Sequence, residues 1–212
     1  MPILVCIPAF NEERVIDKVI KNCQKYADKV VVCDDGSDDK TSEIADSAGA
    51  DVIRHAKNFG KGEALQSLFK FARHSNFDII VTIDGDGQFL PEEIPKIVKG
   101  IESGESDIVI GYRFDDAQEM PNYRKFGNKM LDKMTNIIAE LSVRDTQSGF
   151  RAYSKNIINL IDFKKKGFGA DAEILVSAAK NGARISEEKV SVIYDTGSRT
   201  STKNPISHTG EV

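Results

Sequence analysis

Short apolar runs alternate with segments of helical period along the first half of the chain. The apolar runs span residues 3–8, 29–34, 51–55, 79–84 and 107–111, and their Val, Ile and Leu content predicts buried strands. Helices are predicted between them, the first with Asn11 as its N-cap and the others at 41–48, 62–73 and 92–102. This alternation predicts an α/β fold with a mostly parallel sheet covered on both faces.

The pattern changes after Gly111. A predicted helix at 127–141 is followed by a polar segment at 145–151, helices at 154–161 and 171–181, and a late strand at 190–194. The tail at 196–212 is rich in Ser, Thr, Gly, Lys and Arg and is predicted to be a mobile loop. With no internal repeat, the chain is interpreted as one domain made of two fused halves, 1–111 and 112–195, and this tail.

Composition narrows the classes of function only slightly. The 212 residues are 40% hydrophobic and 29% charged, which is ordinary for a globular domain. A net charge of −4 argues against a general nucleic-acid binder. Cys6, Cys23 and Cys33 share no metal-ligand spacing and are interpreted as reduced core thiols. Without a signal pattern or an apolar run of about 18 to 20 residues, a cytoplasmic location is expected.

Acidic residues follow three of the predicted strands. In sheets of this class, ligands bind beyond the carboxyl ends of the strands. Five acidic residues are therefore expected at one rim: Glu12, Asp34, Asp35, Asp84 and Asp86.

The segment Asp84-Gly85-Asp86-Gly87-Gln88 predicts a divalent metal site. Two carboxylates one residue apart repel each other, and Mg2+ or Mn2+ relieves that repulsion while bridging phosphate oxygens. The two glycines allow a tight turn and a close approach of a ligand. The alternative is a polar turn whose aspartates only cap the next helix.

Two further segments at this rim suggest a nucleotide. In residues 34–37, the carboxylate of Asp35 can accept hydrogen bonds from a base or a ribose. An Asx turn that caps the helix near Thr41 is a compatible alternative. Residues 58–62 do not form a P-loop, because the motif Gly-x-x-x-x-Gly-Lys-Ser/Thr is not satisfied: Gly62 and then Glu63 follow Lys61. They predict a tight helix entry with Lys61 directed at the nucleotide, or a plain helix start.

Basic residues of the second half are candidates for binding phosphate, because guanidinium groups match phosphate oxygens. They are Arg113, Arg124, Lys125 and Arg151. Arg199 and Lys203 in the tail can close over a diphosphate as a lid. Solvated surface charges are the alternative in each case. His55 and His74 are given no role.

Five motifs in chain order resemble the inverting family 2 glycosyltransferases of GT-A fold, most closely the dolichol-phosphate mannose synthase branch. The motifs lie at 7–12, 34–37, 84–88, 111–113 and 145–151, and the resemblance runs from Pro2 to about Asn204. It implies that residues 1–111 bind a nucleotide-sugar, GDP-mannose or a UDP-hexose, and that 112–195 and the tail bind the acceptor, a polyprenyl phosphate.

The resemblance also implies roles for single residues. The residues implied to bind the nucleotide-sugar are Pro8, Phe10, Glu12, Asp35, Asp84, Asp86 and Gln88, with Asp86 and Gln88 as metal ligands. Lys61 and Gly85 are added to this set from the residue pattern described above. Arg113 and Arg124 would bind the acceptor phosphate. Arg199 falls in the mobile acceptor loop. Asp86 and these three arginines are the implied catalytic set, with Arg151 and Lys203 as further acceptor candidates.

Some features leave alternatives open. The segment 169–173 departs from the branch pattern, so Asp171 or Glu173 is the base candidate for a hydroxyl acceptor. Peripheral membrane contact would involve Met130, Met134, Ile137, Ile138 and the basic run 164–166. An aspartate-based phosphatase is a weaker hypothesis, because its Asp-x-Asp motif lies on the first strand and here it follows the fourth. A non-catalytic nucleotide or Mg2+-binding module is the third.

Overall fold

The computed structural model describes residues 1–113, 142–163, 169–193 and 196. Its strands are β1 (Ile3–Ala9), β2 (Lys29–Asp34), β3 (Asp51–Arg54), β4 (Ile79–Thr82), β5 (Ile108–Arg113), β6 (Arg151–Ser154) and β7 (Ile185–Val190). Its helices are α1 (Ile16–Cys23), α2 (Thr41–Ser47), α3 (Lys61–Arg73), α4 (Ile94–Glu102), α5 (Lys155–Leu160) and α6 (Ala170–Lys180), with a 3-10 turn at Pro91–Glu93. The strands and helices predicted for the first half are confirmed, with ends that differ by a few residues.

The described strands form one seven-stranded sheet in the order β3-β2-β1-β4-β6-β5-β7. All neighbours pair in parallel except β6, which runs antiparallel to β4 and β5. The mostly parallel sheet is therefore confirmed. Because β6 is antiparallel, its first residue Arg151 pairs with Thr82 at the carboxyl end of β4. The polar segment that precedes β6 consequently enters the sheet at the edge where the acidic loops leave it.

Two apolar layers cover the sheet. Val5 and Ile7 of β1 belong to a cluster with side chains of α1 and α4, whereas Leu4 and Cys6 belong to a second cluster with α3, α5 and α6. Alternate side chains of a strand point to opposite faces, so a strand covered on both sides needs a continuous apolar run. Burying each such side chain contributes about 1.5 to 3 kcal/mol relative to exposure.

The helices are short, and the cysteines lie inside. The longest described helix, α3, has 13 residues. Within the described ranges, no helix combines the length and apolar character needed to cross a bilayer. Cys6, Cys23 and Cys33 are buried and free, as the sequence predicts. Burial raises the pKa of each thiol, to about 12 for Cys23 and Cys33, so the neutral form is favoured.

Two strands of the second half differ from the prediction. The late strand was placed at 190–194, but β7 ends at Val190 and Val192 makes only an isolated bridge to Phe89. The strand was missed because it is an edge strand with three charged residues among its six, which gives it no apolar run. β6 was not predicted because it has four residues and begins with a charged side chain.

The prediction that Asn11 is the N-cap of the first helix is wrong. That helix begins at Ile16, and Asn11 has a left-handed backbone with φ 58°. The N–H of Asn11 donates to Ser37 Oγ at 2.9 Å, and its side-chain oxygen accepts from the N–H of Asp38 at 2.9 Å. Asn11 therefore connects the loop after β1 to the loop after β2 instead of starting a helix.

Candidate active site

A cavity of about 310 Å3 lies where the loops after β1, β2 and β4 meet the start of α3. Eight residues predicted for nucleotide-sugar binding line it: Pro8, Phe10, Glu12, Asp35, Lys61, Asp84, Gly85 and Asp86. Ala9, Asn58, Gly60 and Ala64, which were not predicted, complete the lining. Gln88 lies outside the lining. The parallel strands bring these positions together because their carboxyl ends share one edge of the sheet.

The two adjacent carboxylates at the end of β2 have different surroundings. Asp34 is fully buried, and its Oδ1 accepts hydrogen bonds from the N–H and hydroxyl of Ser37 at 2.9 and 2.5 Å. This contact spans three residues and does not cap α2, which begins at Thr41. Asp35 lines the cavity and accepts from His55 Nδ1 at 2.6 Å and from the N–H of Gly60 at 2.7 Å. Asp34 is therefore a buried carboxylate that holds its own loop, and Asp35 is the carboxylate at the cavity.

His55 is a residue that the sequence analysis missed. Its partner Asp35 is 20 positions away, so local spacing does not reveal the pair. The available signal was its place at the carboxyl end of a predicted strand, next to the strand that ends in Asp34. Strand neighbours deliver their terminal residues to the same edge, which is why the two side chains meet.

Lys61 joins two acidic residues from opposite halves of the chain. Its Nζ lies 2.8 Å from Asp84 Oδ1 and 3.1 Å from Asp171 Oδ2. Burial alone would lower the pKa of Lys61, but the charges of Asp171 and Asp84 raise it above the ordinary value, so the ammonium stays charged. Gly60, in a left-handed conformation with φ 95°, allows the tight turn into α3 that presents this lysine.

Asp86 is a cavity carboxylate with a raised pKa. Burial, followed by the nearby charge of Asp84, raises its pKa to about 7. The N–H of Gln88 donates to Asp86 Oδ1 at 3.0 Å and lowers the pKa in part. A carboxylate held this close to another, with one lysine as the neighbouring cation, is an environment in which a divalent cation is favourable.

The described residues contain no cluster of three or more His, Cys, Asp or Glu side chains able to hold a metal ion. A divalent cation does not require such a cluster. Mg2+ is commonly bound by one or two carboxylates together with phosphate oxygens of the substrate and water. A site built from Asp86, Gln88 and a diphosphate would need no third protein carboxylate.

The segment 145–151, which precedes β6, packs against Asp84 of the cavity lining. Gly149 packs so tightly against the carboxylate of Asp84 that a methyl group at this position would overlap both of its oxygens. Nearby, Arg113 at the end of β5 donates from Nε and Nη2 to Asp145 Oδ2 and Oδ1 at 2.6 and 2.8 Å. Asp145 therefore holds the Arg113 guanidinium at the rim, since a bidentate pair fixes its plane.

The prediction that Arg151 binds a substrate phosphate is wrong. Its side chain has no exposed area, and its nitrogens donate to the backbone carbonyls of Ser148, Asp171 and Thr146 at 2.7 to 2.9 Å. Arg151 thus connects the segment before β6 to the start of α6. Nothing in the residue pattern indicated this, because the carbonyls it contacts are set by the fold.

We expect Arg151→Met to lower the free energy of unfolding by about 3 to 5 kcal/mol, because three backbone carbonyls, two of them buried, lose their donors. Urea denaturation followed by circular dichroism measures this change. Arg184→Met is the control, because the exposed guanidinium of Arg184 pairs with Asp107 at the surface and its loss should cost less than about 1 kcal/mol. Wild-type stability combined with weaker acceptor binding in Arg151→Met would restore the phosphate role.

The remaining candidates fall into two groups. Glu173 lies in the first turn of α6 and is partly buried but does not line the cavity, whereas Asp171 contacts Lys61 of the lining, so Asp171 is the better placed base candidate. Arg124, Lys125, Arg199 and Lys203 lie outside the described residues. The same holds for the predicted helix at 127–141 and the basic run at 164–166.

Comparison with known proteins gives one family. Residues 4–161 match the family described as Glycosyl transferase family 2. An uncharacterised protein of Methanocaldococcus jannaschii is 40% identical over 200 residues, which cover 91% of this chain and 82% of that protein. The UDP-N-acetylglucosamine--dolichyl-phosphate N-acetylglucosaminyltransferase of Methanococcus voltae is 32% identical over 215 residues, which cover 91% of this chain and 86% of that protein.

A solved structure shares the fold. Glucosyl-3-phosphoglycerate synthase from Mycobacterium tuberculosis, in complex with Mn2+, uridine diphosphate and phosphoglyceric acid, superposes with a TM-score of 0.75 and 22% sequence identity. The likeness covers 99% of this chain and 73% of that chain. At this identity it concerns the fold alone, and it confirms the GT-A fold that the motifs imply.

Proposed function

Because this chain belongs to glycosyl transferase family 2, we propose that it transfers a sugar from a nucleoside diphosphate donor to a polyprenyl phosphate, with metal dependence and inversion at the anomeric carbon. Family membership makes the chain a glycosyltransferase, so the phosphatase and binding-module hypotheses are set aside. The observation that carries the proposal is that Asp35, Lys61, Asp84 and Asp86 line the same cavity. The relative named for a dolichyl-phosphate acceptor supports the acceptor class.

Each part of the donor has a chemically suited part of the cavity. The nucleoside lies beside Pro8, Phe10 and the loop that Asp35 holds, and Asp84 accepts from ribose hydroxyls. Lys61 stands at the N-terminus of α3, where its charge and the positive end of the helix dipole both favour the diphosphate.

The metal ligands of the protein would be Asp86 and Gln88. Mg2+ or Mn2+ supplies charge neutralisation to the diphosphate as it leaves. Asp86 must lose its proton to serve as a ligand. The turn that fixes Gln88 N–H on Asp86 Oδ1 holds the carboxylate in place for this role.

The acceptor reaction needs little proton transfer when the acceptor is a phosphate monoester. One of its oxygens forms the new bond to the anomeric carbon on the side opposite the diphosphate, and the old C–O bond breaks with its electron pair leaving on the diphosphate. Arg113, oriented by Asp145, and Arg124 would bind this phosphate. Arg199 and Lys203 would close over the site, and opposite-side attack gives inversion.

A hydroxyl acceptor with Asp171 as general base is the second candidate. The observation that favours it is the position of Asp171, 3.1 Å from the Lys61 Nζ that also contacts Asp84. The observation against it is that the same contact occupies the carboxylate with an ammonium partner. In this position Asp171 acts as a counter-ion of Lys61 rather than as a general base.

Asp171→Asn distinguishes the two acceptor classes. With a polyprenyl phosphate, we expect transfer to fall less than about 10-fold, whereas loss of a general base costs about 10^2- to 10^4-fold. The assay offers UDP-N-acetylglucosamine, UDP-glucose and GDP-mannose with Mn2+, each with a polyprenyl phosphate and with the matching polyprenol. Asp162→Asn, an exposed carboxylate after α5, is the matched control. The phosphate proposal would be contradicted if the wild-type protein transferred sugar to the polyprenol and Asp171→Asn did not.

A further inference from the structure

A chain of hydrogen bonds runs from the cavity to the middle of α3 through the imidazole of His55. Asp35 contacts His55 Nδ1 at 2.6 Å, and His55 Nε2 contacts Ser67 Oγ of α3 at 2.8 Å. We propose that His55 is a positioning residue for the nucleoside part of the site and acts through Asp35. The inference rests on the proposed function, because it assigns His55 to the donor-binding half of that reaction.

The first step is that Asp35 is an anchor for a loop. Its side chain is 4% exposed, and its two oxygens accept from the N–H groups of Phe59 and Gly60 as well as from His55. A carboxylate with donors on both oxygens has little capacity left for a base. Asp35 therefore contributes to nucleoside binding mainly by fixing the loop that ends in Gly60, directly before Lys61.

The second step is the orientation of the imidazole. The oxygen of an ionised Asp35 only accepts, so Nδ1 carries the proton that it donates. Nε2 is then directed to Ser67 Oγ at 2.8 Å and to Cys33 Sγ at 3.5 Å. The side chain is 12% exposed, which leaves it little room for another rotamer. Packing and the contact with Ser67 therefore fix the orientation of the imidazole, and the imidazole in turn fixes the carboxylate of Asp35.

The third step separates binding from chemistry. Asp35 and His55 contact the loop at 58–60, whereas the residues assigned to the diphosphate and the metal are Lys61, Asp86 and Gln88. Loss of the Nδ1 donor should therefore weaken nucleotide binding and raise the donor KM. The rate of transfer from bound donor should change little, since no contact of His55 involves the reacting atoms.

Two amide substitutions separate the two ends of the ring. Asparagine places an N–H2 near the position of Nδ1, and glutamine places one near Nε2. We expect His55→Asn to bind UDP or GDP with Mn2+ within about 3-fold of wild type, and His55→Gln and His55→Ala to bind about 10- to 100-fold more weakly. In the assay with polyprenyl phosphate, the donor KM should follow the affinity while kcat stays within about 3-fold.

Calorimetric titration with UDP and with GDP measures the affinity of each variant, and thermal melts without nucleotide measure its stability. The inference is overturned if His55→Gln binds as well as His55→Asn, or if all three variants lose stability, affinity and kcat in parallel. Wild-type protein that binds neither UDP nor GDP would instead overturn the proposed function and this inference with it. Ser67→Ala, which keeps the contact to Asp35, should reduce affinity by less than about 5-fold.

Discussion

Replacing Asp86 with asparagine is expected to abolish metal-dependent transfer and to stabilise the metal-free protein at pH 8. An amide is a much weaker ligand for Mg2+ or Mn2+ than a carboxylate, so we expect the rate to fall by at least about 10^3-fold. The gain in stability has a separate cause. Burial and the charge of Asp84 raise the pKa of Asp86 from an ordinary 3.8 to about 7.

The sign of the stability change follows from proton linkage. Between pH 4 and 7 the folded protein holds a proton on Asp86 that the unfolded chain releases, so folding becomes less favourable as the pH rises through this range. Above pH 7 the folded protein carries the full cost of the buried negative charge, and the neutral amide of the variant would not. Because Asp86 is only partly buried, we expect Asp86→Asn to gain about 1 to 3 kcal/mol at pH 8 and much less at pH 5.

Urea denaturation in the presence of a chelator, at pH 5 and pH 8, measures both values. Asp46→Asn is the matched control, because Asp46 is an exposed carboxylate on α2 and its replacement should change stability equally little at both pH values. In the wild type, Mn2+ affinity should rise with pH up to about 7, since binding displaces a proton from Asp86. A variant that is less stable than wild type at pH 8, or that still transfers sugar with Mn2+, contradicts the assignment.

The rim could be predicted from sequence because its residues follow strands directly. The polar residues after the runs at 3–8, 29–34 and 79–84 meet in one cavity simply because those strands are parallel neighbours. Neither the pair Lys61–Asp171 nor the buried contacts of Arg151 could be found this way. The partners of each come from distant parts of the chain, and their contact depends on how α3, α6 and β6 pack.

The role of a charged residue was hardest to predict where burial decides it. Arg113 and Arg151 look alike in sequence, since each lies beside a glycine-containing motif in the second half. In the structure Arg113 lies at the rim beside Asp145, whereas Arg151 is fully buried and donates to backbone carbonyls. Residue type and spacing do not distinguish an arginine at the rim from a buried structural one. The exposure of the side chain distinguishes the two, and the burial of Arg151 follows from the register of β6 against β4.

Replacing Gly149 with alanine is expected to reduce transfer by about 10^2-fold or more while leaving most of the stability. A methyl group at this position would overlap both oxygens of Asp84. The carboxylate is the mobile end of its side chain, so it can rotate away at a modest cost to folding. The rotation would separate it from Lys61, now 2.8 Å away, and from the ribose position proposed for it. Misplacing a group that positions substrate lowers the rate steeply.

A double-mutant cycle tests whether Gly149 acts through Asp84. If it does, Gly149→Ala should add little to the loss already caused by Asp84→Ala, because the group it displaces is gone. Gly100→Ala on α4 is the matched control, since its new methyl group would meet Val109 Cγ2 at 3.0 Å, away from the cavity. Gly100→Ala should lower the stability somewhat and leave most of the transfer activity. Additive losses in the cycle would show that Gly149 acts independently of the Asp84 carboxylate, and the close packing against Asp84 would then have no part in donor binding.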